Sequence, residues 1–140
     1  CMGDFRECYV TYYVMNYVPN KMNDLLKKKC VPCEGGVKPL NHDEITELMP
    51  QVPGWNLFEE ESENLKKFGM GAKISKEYKF KDFIGAINFV NNIAEIAESE
   101  GHHPDIKINY NKVLLELSTH AIGGLSENDF ILAAKVNAMN

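Results

Sequence analysis

Three of the chain's four histidines fall within residues 98–129, ESEGHHPDIKINYNKVLLELSTHAIGGLSEND. Imidazole is the side chain suited to give and take protons near neutral pH, so this stretch is where acid–base chemistry is expected. His102 and His103 follow Gly101, a residue placed to close a helix in the left-handed conformation, and they therefore hang from a helix C-terminus. Pro104 holds His103 extended, and successive extended residues point to opposite sides, so the two rings are expected to do different jobs. The bland reading of either ring is a C-terminal cap that interacts with the helix dipole. Glu98 and Glu100 add negative charge beside that helix end, which should favour the imidazolium and suit a general acid.

Elements on both sides must position these groups. Lys81 to Glu100 is the strongest helical pattern, with Phe83, Ile87, Val90, Ala94 and Ala97 as an apolar stripe and Phe89, Ile93 and Ile96 as a second stripe beside it. One sheet does not need so wide an apolar face, so either the core is unusually enclosing or a second subunit covers the second stripe, and the subunit is the expectation. Ile106, Ile108 and Tyr110 alternate with polar residues, as do Val113, Leu115 and Leu117, which predicts a hairpin turning at Asn111. The start of its first strand and the end of its second lie at one end of the hairpin, so His102 and His103 should meet His120 on one rim.

Upstream, Asn41 with Glu44 three residues on predicts a capped helix running to about Met49 and ended by Pro50 and Pro53. Trp55, Leu57 and Glu59 alternate as a first strand. Leu65 to Phe80 reads as a longer strand bent at Gly69 and Gly71. Gly123-Gly124 opens a turn, and Ser126 caps a last helix with Asp129 at its third position. The order is αββαββα, which implies an α+β fold: a two-layer sandwich with a four-stranded antiparallel sheet and helices on one face.

The spacing then matches a known family. Glu98, three residues, His102-His103-Pro104, five residues, Tyr110, nine residues, His120, eight residues and Asp129 follow one another in the chain. This resembles the signature of the pterin-4a-carbinolamine dehydratases. The likeness runs from about Leu40 to the C-terminus, through Pro53-Gly54-Trp55, the segment from Tyr78 to Phe83, and Ser118 to Phe130. CVPCEGG, at Cys30 to Gly36, is similar to the leader of some bacterial-type members. The domain is accordingly placed at 37–140, with residues 1–36 as a leader of undetermined structure.

The resemblance implies loss of water from a 4a-hydroxytetrahydropterin to give the quinonoid dihydropterin in tetrahydrobiopterin recycling, by a hydro-lyase with no metal or organic cofactor. On that reading His102 and His120 are the acid and the base, His103 holds the pterin, and Pro104 shapes the turn. Glu98 holds a histidine in its working orientation, Trp55 lies against the pterin ring, and Asp129 occupies the last position of the signature. The lone tryptophan reads equally as core, and capping alone accounts for Asp129. Family members form homodimers or homotetramers, and some also serve a homeodomain transcription factor as a dimerisation cofactor through a helical surface.

Composition bounds the alternatives. One domain of this length buries roughly 68% of its unfolded surface. The net charge is −5 and the pI about 5.4, a poor basis for direct nucleic-acid binding. No apolar run approaches the roughly 18 residues that predict a membrane span, and Tyr9 to Val18 lacks the basic start and clean apolar core of a secretory signal. Cys1, Cys8, Cys30 and Cys33 all precede the catalytic domain, and CVPC reads as a reduced pair ahead of a metal or disulfide site. Nothing else asks for an oxidising compartment, and a cytoplasmic location is expected. Two other classes stay open: a non-enzymatic interaction protein, and a zinc enzyme using His102, His103 and His120. The extended backbone at His103 opposes convergence of adjacent histidines on one ion.

Overall fold

The computed structural model describes residues 25–32 and 38–139. Asn41 caps α1 (His42–Leu48): its side chain accepts from the Glu44 amide while the Glu44 carboxylate accepts from the Asn41 amide, both at 2.9 Å. A cap of this kind is worth about 1 kcal/mol. A 3-10 turn (Met49–Gln51) leads past Pro53 to β1 (Asn56–Phe58).

The stretch expected to be one long strand begins instead with a short helix, α2 (Glu63–Lys67), and only then enters β2 (Lys73–Lys79). Glu63 in the first turn and Lys66 and Lys67 in the last complement the helix dipole. Gly69 closes this helix rather than bulging a strand. Gly69 takes φ +69°, the Met70 amide donates back to Leu65 O at 2.9 Å, and the Gly69 amide donates to Lys66 O at 3.1 Å. A side chain at Gly69 would also meet Leu40 O at 1.8 Å. Within residues 38–139 the element order is therefore αβαβαββα.

Asp82 caps α3 (Phe83–Glu100), which ends at Gly101 with φ +64° as the sequence predicts; β3 (Asp105–Asn109) and β4 (Lys112–Leu117) follow as a hairpin. Tyr110 sits in its two-residue turn at φ 53° rather than in the strand. After a second 3-10 turn (His120–Ile122), α4 (Glu127–Asn137) completes the chain's regular structure. The sheet is antiparallel in the order β1-β2-β4-β3.

Register fixes the two faces. Ile74 pairs with Leu117, Lys76 with Leu115 and Tyr78 with Val113, and these residues face α3 and α4. On the open face Glu116 accepts from Lys73 of β2 at 2.9 Å and from Lys107 of β3 at 3.3 Å. The two stripes of α3 do not divide as expected, since Val90 and Ala97 of the first reach the core as well. Ile93 is fully buried in the core of a single chain, with Phe89 and Ile96 packed against it, whereas Phe83 and Ile84 are exposed. A helix lying across a sheet buries one arc, here that of Ala86, Ile93 and Ala97.

The core does not stop at residue 37. Residues 25–27 form a helical turn, and Leu25 is 2% exposed within the same apolar cluster as Phe130 and Leu132 of α4. Cys30 is a free thiol among the described residues, while Cys1, Cys8 and Cys33 lie outside them. His42 pairs with Glu59 at 2.8 Å. Among the described residues no helix is long and apolar enough to cross a membrane.

Candidate active site

The close of α3 places the histidine pair. The His102 amide donates to Ala97 O at 3.2 Å and the Gly101 amide to Glu98 O at 3.3 Å, so the backbone leaves the helix in one defined direction. The two rings then diverge, as the extended backbone before Pro104 requires. His102 turns inward to α4, where its Nε2 lies 2.6 Å from Asp129 Oδ1, with the histidine side chain 13% exposed and the aspartate 0%. His103 turns outward, its Nε2 2.6 Å from Glu98 Oε1, both groups in solvent.

Asp129 does two things at once. Its Oδ2 accepts from the Ser126 amide at 3.0 Å, capping α4, and from the Thr119 hydroxyl at 2.9 Å; its Oδ1 takes His102. Capping does not exhaust the residue. Thr119 spends its hydroxyl proton on Asp129, so at 2.7 Å the Ser126 hydroxyl donates to Thr119. This buried carboxylate, at the N-terminus of α4, meets three hydrogen-bonding groups. An ionised carboxylate can only accept, so Nε2 of His102 carries the hydrogen, and in the neutral ring the lone pair sits on Nδ1. The arrangement is a buried aspartate orienting a histidine, the logic by which other active sites fix a tautomer.

His120 starts the 3-10 turn after β4, and its exposed Nε2 lies 3.7 Å from Asp105 Oδ2 at the entrance to β3. The register pairs Asp105 with Glu116, so the three histidines do share one rim of the sheet. Beside His120 a recess of about 200 Å³ is lined by Gly71, Lys73, Ser118, Thr119 and the Gly123-Gly124 turn. The turn is held tightly: Thr119 donates its amide to Gly124 O at 2.8 Å, and Gly71 donates its own to Gly123 O at 2.7 Å. A recess walled by glycine backbone beside a hydroxyl and an imidazole suits a flat, polar ring.

Two expected participants stand elsewhere. Trp55 is 5% exposed, and its indole donates to Asn137 Oδ1 at 3.1 Å. Asn137 is eight residues beyond Asp129 along α4, about 12 Å away at a helical rise. Trp55 is thus a core residue at the far end of the helix. Glu100 turns away from the imidazoles, accepting from the Cys30 amide at 2.9 Å and pairing with Lys135. Sequence reasoning missed Thr119 and Lys73. Thr119 directly precedes His120 in a strand-ending segment, but only the fold shows that its hydroxyl reaches Asp129. Among the described residues no three histidine, cysteine or acidic side chains converge as a metal cage would require.

A family model for Pterin 4 alpha carbinolamine dehydratase matches residues 38–139. The chain belongs to this family. It is 48% identical over 118 residues to a protein of Nitrosospira multiformis that carries the provisional name pterin-4-alpha-carbinolamine dehydratase, covering 84% of this chain and 94% of that one. A similarly named protein of Rickettsia canadensis is 44% identical over 118 residues, covering 84% of this chain and 98% of its own. A crystal structure from Brucella melitensis, described as a transcriptional coactivator/pterin dehydratase, superposes with a TM-score of 0.59 at 33% identity, covering 71% of this chain and 96% of that one.

Proposed function

We propose that the chain is a hydro-lyase that dehydrates a 4a-hydroxytetrahydropterin to the quinonoid dihydropterin by histidine acid–base catalysis. The observation that carries this reading is the buried Asp129 holding His102 at 2.6 Å, on the rim that also bears His120 and the glycine-walled recess. Dehydration needs one group to protonate the departing hydroxyl at C4a and another to take a proton from a ring nitrogen. His102, with its tautomer fixed by Asp129, and His120 fill these roles, exchanging them with substrate stereochemistry. One proton is given and one taken, so the pair keeps its total proton count, exchange with solvent returns each imidazole to its starting state, and water is the only by-product.

His103 and Glu98 form an exposed pair suited to holding the pterin at the mouth, with Pro104 fixing their separation from His102. The side chains fill both proton-transfer roles, and the enzyme works without a metal or organic cofactor. Phe83 and Ile84, exposed on α3, and Ile108 of β3 and Tyr110 of the turn after it, also exposed, support assembly as a homodimer or homotetramer. The Brucella protein's description as a coactivator supports a second reading, in which the same α3 surface also carries a partner protein.

Stopped-flow measurement of 4a-hydroxytetrahydropterin dehydration by the chelator-treated chain tests the proposal. Turnover well above the spontaneous rate is expected. Absence of acceleration, or acceleration restored only by added zinc, overturns it.

A further inference from the structure

The segment before the catalytic domain grips the part of α4 that holds His102. Three consecutive residues in the first turn of α4 face three different partners. Glu127 pairs with Lys28, Asn128 binds Val31, and Asp129 binds His102. The Asn128 contact is two-pointed: its Oδ1 accepts from the Val31 amide at 3.0 Å and its Nδ2 donates to the Val31 carbonyl. Between these, the Cys30 thiol donates to the Asn128 backbone carbonyl at 3.6 Å.

The same segment also holds the other end of the histidine's support. Glu100 is the last residue of α3, two before His102, and its side chain is only 7% exposed. An acid at a helix C-terminus opposes the dipole, and burial adds a desolvation cost. Both are offset by Lys135 of α4 and by the Cys30 amide, which donates to Glu100 Oε2 at 2.9 Å. The end of α3 and the start of α4 are thus clamped together by one extended stretch of chain. Leu25, 2% exposed in the core, anchors that stretch.

We propose that residues 28–31 form a positioning strap, with Glu100 and Asn128 as positioning residues that hold Asp129 in line with His102 for proton transfer. This rests on the reading of His102 as a proton-transfer group. A purely stabilising role would predict lower melting temperature alone, whereas a positioning role predicts a change at His102 as well.

The test uses the full chain with Asn128→Ala, Glu100→Gln, and Ile45→Val as a core control outside the strap. The first readout is solvent exchange of the His102 Nε2 proton by NMR, which needs no activity and so stands or falls separately from the dehydratase reading. The second is kcat against KM. Roughly tenfold faster exchange is expected in both strap variants and not in Ile45→Val. A fall in kcat of about tenfold, with KM within about twofold, should accompany it, because misalignment of a proton-transfer group is felt mainly in the chemical step. Should Asn128→Ala not fold, Glu100→Gln alone decides the matter, since it keeps the volume and an acceptor for the Cys30 amide. Unchanged exchange and kcat in a folded Glu100→Gln chain, whatever its melting temperature, would overturn the proposal.

Discussion

At the scale of single residues the site is organised by one carboxylate, and its neighbours can be separated by substitution. His102→Ala and His120→Ala should each lower the single-turnover rate by about 10² to 10⁴-fold, the usual contribution of one general acid or base. His103→Ala should instead raise KM with a smaller effect on kcat, if its exposed pair with Glu98 holds the substrate as proposed. Rapid-quench rates and binding titrations on folded variants check this division. A His103→Ala variant slowest in the chemical step would reverse it.

Two buried groups outside the site make equally sharp statements. Burial foremost, and then the Glu100 carboxylate, push the Cys30 thiol up to about 12. Its contribution to stability is fully present below the unfolded value of 9.0 and is lost progressively as pH rises from there through the folded value of about 12. At about pH 8.5 the thiolate is scarce in the folded chain, so alkylation of Cys30 should be on the order of a hundredfold slower than in urea. Peptide mapping measures it, and equal rates in the two states would contradict the burial. The Tyr78 hydroxyl is buried without a hydrogen-bond partner among the described residues. Removing it by Tyr78→Phe should raise stability by about 1 kcal/mol in urea melts; a loss would mean that the hydroxyl has a partner after all.

At the scale of elements the two sides of α3 differ in what they tolerate. Ile93 is wholly buried, so Ile93→Ala should cost about 2 to 5 kcal/mol through lost transfer energy and a residual cavity. Ile84, 66% exposed, should accept Glu without loss of folding. If the exposed arc holds an assembly together, light scattering will show a smaller mass for Ile84→Glu. An unchanged mass with an intact fold would assign the interface to another surface. The helical period was legible from the sequence, but its phase was not, because two adjacent apolar stripes fit the period equally well. The same ambiguity hid α2: a five-residue helix carries too few turns to show a period, and Gly69 reads as a bulge until the contact with Leu40 is seen. The capping residues Asn41 and Ser126, the helix stop at Gly101 and the hairpin at Asn111 were readable because each rests on local backbone chemistry. Contacts between distant segments, such as Thr119 with Asp129 or Val31 with Asn128, leave no local trace.

At the scale of the whole molecule, acid should loosen the chain from both faces of the sheet. Hydrogen bonding by Lys73 holds the Glu116 carboxyl below the usual range, against opposing burial and with Lys107 assisting. Burial opposes ionisation of Glu100, but Lys135 and the Cys30 amide outweigh it. Both carboxylates therefore contribute stability that is present above their unfolded value of 4.5 and lost as pH falls through the lower folded values. Urea midpoints should drop on that acid limb, and Glu116→Gln should flatten it; an identical slope in the variant would remove Glu116 from the account.

The central claim is that this rim of the sheet dehydrates a pterin carbinolamine through two histidines. Single-turnover stopped-flow dehydration of a 4a-hydroxytetrahydropterin, by the wild-type chain and by a folded His102→Ala/His120→Ala double variant, tests it most directly. The account predicts strong acceleration by the wild type and a return to near the spontaneous rate in the double variant. A double variant as fast as the wild type would contradict it.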